Sequence, residues 1–237
     1  MEQDELETIK EVAKATGTSV EAFKQLGGFL AQVFGPAFKE FGGIVSDWAY
    51  YIRFKNAIMI QDKWDAIIKR RKIEGKTVPI PSRYAIPLIQ NASEEDNETI
   101  QNMWAGLIAN WTDPGKKFSP RKLFIQILSS LEPLDANILQ FFPTQGWKVF
   151  REVSGGGITL SILQTKLKAT EEEIRISLQN LARLGCVMAK QEHVMHFGVT
   201  PPIAFGELVN DPRATFRLSP LGSELLKACQ GAESAEF

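Results

Sequence analysis

The chain has 237 residues, of which 44% are hydrophobic and 23% are charged, and its net charge is −1. A chain of this length forms one large or two small domains with a real hydrophobic core. The balanced charge excludes a global basic field of the kind that attracts nucleic acid. Two cysteines, Cys186 and Cys229, are too few for a disulfide framework, and the polar start MEQDELETIK carries no secretory signal pattern. We therefore expect a cytoplasmic protein.

The stretch from Leu26 to Trp48, LGGFLAQVFGPAFKEFGGIVSDW, is apolar and rich in glycine. Large apolar residues recur alternately four and three positions apart, close to the period at which helices pack against helices. This predicted seam consists of Phe34, Phe38, Phe41, Val45, Trp48 and Ile52. The glycines Gly28, Gly35 and Gly42 recur every seven residues and predict a strip of small residues beside the seam.

Three roles for this glycine-rich stretch are open. A permanent transmembrane helix is disfavoured, because Lys39 and Glu40 near its centre would each cost about 2.5–3.5 kcal/mol at mid-bilayer. Packing against other helices, in the core or between copies of the chain, is what the spacing favours. The third role is triggered entry into a membrane, with the basic run 69–72 on anionic lipid. A helix end stabilised by its dipole also explains that run.

The first 140 residues are predicted to be helical. The segment SEEDNETIQNMWAGLIANWTDP predicts a helix with Ser93 as its N-cap and Asp96 in the capping-box position. The helix dipole accounts for the acidic residues there, so we predict no metal site. Pro133 predicts the start of a further helix.

The C-terminal part changes character after the glycine triplet at 155–157. Thr170 and Glu173 predict a capping box, and Gly185 predicts the end of the same helix. The predicted order of helix, helix, strand, loop, strand and helix is typical of a winged helix-turn-helix. The segments LQNLARLGCV and FRLSPLGSELL resemble that family. We expect a winged helix over residues 146–230 and a flexible tail over 231–237.

The helix in the recognition position begins with the acidic sequence TEEE. Carboxylates there would face the phosphates of DNA and oppose binding. The candidate nucleic-acid contacts are Lys166, Lys168, Arg175 and Gln179. We therefore expect a docking, sensing or dimerisation module, and we keep a transcriptional regulator that binds duplex DNA as the alternative.

The sequence predicts no catalytic, cofactor or metal site. Its two histidines, His193 and His196, are near Cys186 in the sequence but lack a second well-spaced pair of metal ligands. The glycine runs do not have the strand, loop and helix context of a phosphate-binding loop. We expect a protein that is not an enzyme and binds no cofactor.

Three strings occur in one order: RFKN (53–56), VPIPSRYAIPLIQNASEEDNETIQNMWAGLIANWTDP (78–114) and FSPRKLFIQILSSLEPLDANIL (118–139). Together they resemble the Abi-alpha family, a bacterial domain associated with abortive infection, over about residues 25–140. The resemblance implies a role in phage defence, in which an infected cell is stopped before it yields virus. It implies no catalytic residues.

The complete prediction is a mainly α protein, with an Abi-alpha-like helical bundle over residues 1–140 followed by the winged helix. The expected partners are a second copy of the chain and an unknown protein or phage trigger. On activation, the cytoplasmic protein is also expected to associate with a membrane surface.

Overall fold

The computed structural model describes residues 20–34, 51–116, 119–142, 157–191, 205–211 and 214–230. These residues are mainly helical and include one three-stranded antiparallel sheet, which confirms the predicted fold class. They form two compact units. The first contains the described residues up to Ser129 together with Cys229 and Gln230, and the second contains those from Ser130 to Ala228. The domain limits predicted from the sequence stay a prediction.

The first unit is a set of packed helices, one of which is buried on almost every side. They are α1 (Val20–Phe34), α2 (Tyr51–Arg71), α3 (Ser82–Glu94), α4 (Glu98–Thr112) and α5 (Lys122–Leu128). Helix α4 has 15 residues, of which 12 are buried, and it packs against α2 and α5. A helix that is apolar on almost every side has to lie inside a core, because it has no face to give to water. The sequence IQNMWAGLIANW is of this kind.

The start of α4 differs from the prediction. The N-cap is Asn97, whose Oδ1 accepts hydrogen bonds from the backbone N–H groups of Thr99 (3.0 Å) and Ile100 (3.2 Å). Ser93 lies in the last turn of α3 instead, where its hydroxyl donates to the Gln90 carbonyl. The Ser93 carbonyl accepts a hydrogen bond from Nδ2 of Asn56 in α2 (3.2 Å), a contact that local sequence does not reveal.

The second unit combines helices with the small sheet. Its elements are α6 (Pro133–Phe141), β1 (Ile158–Thr159), α7 (Leu160–Leu167), α8 (Glu171–Arg183), β2 (Val187–Gln191), α9 (Phe205–Val209), β3 (Ala214–Leu218) and α10 (Pro220–Cys229), whose last residue belongs to the first unit. Strand β3 is central, pairing Val187 of β2 with Leu218 and Ile158 of β1 with Phe216. The predicted helices and strands occur in the predicted order, and the structure adds β1 and α9. The winged-helix assignment itself stays a prediction.

Both predicted ends of α8 are confirmed. The backbone N–H of Thr170 donates to Oε2 of Glu173 (2.8 Å), and the backbone N–H of Glu173 donates to Oγ1 of Thr170 (3.3 Å). The Thr170 hydroxyl also donates to the Glu173 carboxylate, and these bonds lower the pKa of Glu173 below its ordinary value. Gly185 has φ +73°, the left-handed conformation that glycine adopts without a steric cost.

Most of the glycine-rich stretch lies outside the described residues, including Gly35, Gly42, Phe38, Phe41, Val45 and Trp48. Phe34 ends α1, and Ile52 is the second residue of α2. Gly28 is exposed in α1, and a Cβ built on it would meet nothing within 4 Å. The packing role of this surface therefore stays a prediction. Among the described residues, every helix is too short or too polar to cross a membrane.

Gly106 and Gly28 both lie inside helices, but their surroundings predict opposite effects of alanine. At Gly106 in α4, a Cβ would lie 1.8 Å from the carbonyl oxygen of Cys229. We expect Gly106→Ala to lower the free energy of unfolding by about 1–3 kcal/mol, because backbone atoms have to move apart. Gly28→Ala, the control, should raise it by up to about 1 kcal/mol through helix propensity. Urea denaturation measures both, and an equally stable Gly106→Ala protein would contradict the packing described here.

Candidate functional site

Helix α8 presents one face to the interior of the second unit and one to solvent. Its buried residues are Ile174, Ser177, Leu178 and Leu181. Glu172, Ile176, Gln179 and Arg183 are exposed and recur at helical spacing. We call these four residues the outer face of α8. Among the described residues, the core contacts of α8 are made by the opposite side of the helix, where Ile174, Leu178 and Leu181 are buried.

The outer face is acidic at its start, apolar in its middle and basic at its end, where Arg183 lies. The side chain of Ile176 is 59% exposed, the largest exposure among the large hydrophobic residues that the structure describes as exposed. Glu171, Glu172 and Glu173 are all exposed in the first turn of the helix. Such a surface fits a partner that is apolar and carries basic groups. The apolar part of the partner would cover Ile176, and its basic groups would pair with the carboxylates.

Arg175, a predicted nucleic-acid contact, is used inside the second unit. Its guanidinium forms an ion pair with Glu171 one turn earlier, and its side chain is only 17% exposed. Nη1 donates to Oδ1 of Asn210 (2.8 Å) and to the carbonyl of Val209, at the end of α9. Arg175 therefore fastens α9 to α8.

The other three predicted nucleic-acid contacts are exposed. Lys166 and Lys168 lie at the end of α7, and Gln179 lies on the outer face of α8. Lys168 has φ +53° and occupies the C-cap position of α7. These three residues are accessible to a ligand. Arg175, the fourth predicted contact, is instead used within the second unit.

Sequence reasoning missed a buried carboxylate that anchors α8 from within. Asp135 of α6 is 1% exposed, and its Oδ2 accepts hydrogen bonds from the Glu132 backbone N–H (2.9 Å) and from Nδ2 of Asn180 (2.6 Å). Nδ2 of Asn180 also donates to the Ser130 carbonyl (3.1 Å). The sequence did contain an indication that this carboxylate caps a helix, because it is an acidic residue at the third position of a helix that begins with proline. These bonds hold the inner side of α8 on α6.

Cys186 behaves as a structural thiol. It is fully buried, and burial, with the nearby negative charge of Asp135 as a second cause, raises the pKa of the thiol to about 12. A thiol that stays protonated at neutral pH is a poor nucleophile and a poor metal ligand. His193 and His196 lie outside the described residues. Within the described ranges, no group of three or more His, Cys, Asp or Glu side chains could hold a metal ion.

In the first unit, the basic run 69–72 contains one residue that faces inward. The side chain of Arg71 is 9% exposed, and its guanidinium donates to Oδ2 of Asp113 (3.1 Å), whose side chain is 8% exposed. It also donates to Oδ1 of Asn110 (2.7 Å), and Nδ2 of Asn110 donates to the Gln230 carbonyl (3.1 Å). Burial lowers the pKa of Arg71, and the charge of Asp113 opposes that shift. The helix-dipole explanation of the run did not foresee this buried pair.

A model of the family described as abortive infection alpha matches residues 55–229 of the chain. The match confirms the resemblance expected from the sequence and extends beyond residue 140, where that resemblance was expected to end. It begins after the glycine-rich stretch. Comparison with curated proteins and with solved structures gave no significant match.

Arg71 and Arg53 allow a paired test of burial. Arg71→Met leaves the carboxylate of Asp113 buried without its cation, so we expect the free energy of unfolding to fall by about 3–5 kcal/mol. Arg53→Met removes the ion pair with Glu94, whose two side chains are 44% and 54% exposed, and should cost less than about 1 kcal/mol. Chemical denaturation of both variants measures the difference.

A second variant separates the buried charge from general damage to packing. Arg71→Met combined with Asp113→Asn removes both charges and should recover part of the stability lost in the single variant. Equal losses for Arg71→Met and Arg53→Met would show that the Arg71 pair is not the buried interaction described here.

Proposed function

The chain belongs to the abortive infection alpha family, and from this premise we propose that it is a non-enzymatic anti-phage protein of bacteria. The helical first unit would carry the arrest of the infected cell, by contact with other proteins or by a triggered interaction with the membrane. The second unit, a winged helix in this proposal, would serve as the module for docking, sensing or dimerisation.

The observation that carries the docking role is the outer face of α8. An exposed isoleucine in the middle of a helix is stabilised when a partner covers it, because the apolar surface leaves water. Covering the part of Ile176 that is exposed contributes about 1–2 kcal/mol, because the residue is 59% exposed. Around Ile176, the carboxylates of the first turn would select a partner with basic groups, which gives specificity more than affinity.

The acidic first turn of α8 supports docking over DNA binding on electrostatic grounds. Three exposed carboxylates, those of Glu171, Glu172 and Glu173, occupy the end of α8 that would approach the phosphates in a winged-helix complex. Arg175 is held by Glu171 and by the end of α9, so it would have to break those contacts to reach a base or a phosphate. Both effects oppose association with duplex DNA.

The alternative function, a transcriptional regulator that binds duplex DNA, keeps one favourable observation. Lys166, Lys168 and Gln179 are exposed on the two helices that the helix-turn-helix interpretation would place nearest to DNA. Phosphate contact through the two lysines would then be essential for function.

Phage plating separates the two functions, in cells whose intact gene protects against the phage used. Ile176→Ser should remove most of the protection, because it takes away the apolar centre of the outer face of α8. The matched control Leu123→Ser changes a side chain that is 44% exposed in the first unit, and it should protect as the wild type does. Lys166→Gln combined with Lys168→Gln should also protect.

Equal amounts of folded protein in the cells are required for this comparison, and immunoblotting and thermal melting establish them. Loss of protection in the double lysine variant, together with full protection by Ile176→Ser, would reject the docking function. Tight, salt-sensitive binding of the purified wild type to duplex DNA would then favour the regulator.

A further inference from the structure

The first unit has a second surface, formed where α2 and α4 end. After α2, the backbone N–H of Lys72 donates to the Lys69 carbonyl (3.0 Å), and that of Lys76 donates to the Ile73 carbonyl (3.0 Å). The Val78 N–H donates to the carbonyl of Thr112, the last residue of α4 (2.8 Å). These bonds make a compact turn that lies against the end of α4. We call this surface the basic turn; it consists of Lys69, Arg70, Lys72, Lys76, Val78 and Lys116.

The basic turn concentrates positive charge. Arg71, in the same basic run, is buried with Asp113, whereas the five cations of the basic turn are exposed. Lys116 lies in the turn that follows α4, where its N–H donates to the Asp113 carbonyl (3.1 Å), and the Asp113 side chain pairs with Arg71 of α2. Among the described residues, the carboxylates that neighbour these cations in the sequence are Asp65 and Glu74. The cations outnumber them.

Lys72 occupies a conformation that favours another residue type. Its φ is +57°, in the left-handed region, where glycine or asparagine is more usual and a lysine costs about 1–2 kcal/mol. The next residue with positive φ in this turn is Gly75, at +68°. A strained lysine, where glycine would be relaxed, is consistent with a use for its charge.

An exposed apolar side chain accompanies the cations. Val78 is 42% exposed, and its backbone N–H is already used in the bond to Thr112. Lysines around an exposed valine match the boundary of an anionic bilayer, where ammonium groups meet headgroup phosphates and the apolar side chain enters the acyl boundary. Nucleic acid is recognised instead by aromatic stacking or by a helix or strand in a groove. The basic turn contains no aromatic side chain, and only Lys69 and Arg70 of it lie in a helix, in the last turn of α2.

We propose that the basic turn is a peripheral docking site for the anionic surface of a lipid bilayer. The valine and the lysines would lie at the headgroup level, and no helix would need to cross the membrane. The proposal rests on the membrane role proposed for the first unit and names the lipid chemistry and the residues. It does not depend on the outer face of α8, so its test and the phage-plating comparison fail separately.

Vesicle flotation of the full-length protein tests the site. The wild type should bind vesicles rich in phosphatidylglycerol and should not bind pure phosphatidylcholine vesicles. Lys72→Gln, Lys76→Gln and Lys116→Gln combined should weaken binding about a hundredfold. The matched control, Lys166→Gln, Lys168→Gln and Lys227→Gln combined, removes the same charge from the second unit and should bind as the wild type does.

Two further measurements distinguish a bilayer from other sources of phosphate. Val78→Ser should weaken vesicle binding about tenfold, because the apolar contribution is lost while all charges remain. Inorganic phosphate at constant ionic strength should not displace the protein from vesicles. The proposal is overturned if the folded wild type does not bind anionic vesicles, or if the two triple variants bind equally. Displacement by inorganic phosphate, or duplex DNA binding that needs the three lysines and exceeds vesicle binding, would also overturn it.

Discussion

The burial of α4 on almost every side is the constraint around which the first unit is built. Polar groups near such a helix lose water and need partners within the protein. Arg71 and Asp113 neutralise each other at its end, and the hydroxyl of Thr112 accepts a hydrogen bond from the indole of Trp64 (3.2 Å). Pairing is incomplete, since Oε1 of Gln101 and the indole N–H groups of Trp104 and Trp111 have no hydrogen-bond partner among the described residues. The extensive apolar burial around the helix offsets that cost.

In each unit, internal contacts determine which charged groups remain for a partner. Arg71 and Arg175 are both arginines in basic or polar sequence contexts, yet each is used to hold neighbouring segments together. Because these two arginines make internal contacts, the charged groups that stay exposed include lysines at the end of α2 and carboxylates at the start of α8. The proposed roles follow from this division: an anionic bilayer for the basic turn, and a protein partner for the outer face of α8.

Local chemistry explains which features could be predicted from the sequence. The capping box of Thr170 and Glu173, the left-handed Gly185 and the helix that starts at Pro133 each depend on residues close in the chain. The misplaced cap of α4, the inward Arg71 and Arg175, and the buried Asp135 depend on partners that are distant in the sequence or on the length of the preceding helix. Strand β1 has only two residues and is defined by its pairing with β3, so no local sequence pattern predicts it. The acidic start of α8 was predicted from the sequence, but the exposure of Ile176 required its packing partners to be known.

A photo-crosslinking amino acid at position 176, in place of Ile176, tests the docking function most directly. The full-length protein would be irradiated in infected cells, with the same amino acid at position 123 in place of Leu123 as the control. The account predicts that position 176 forms a crosslink to protein, either a second copy of the chain or another polypeptide, that position 123 does not form. Crosslinks from position 176 to DNA, or identical protein crosslinks from both positions, would contradict it.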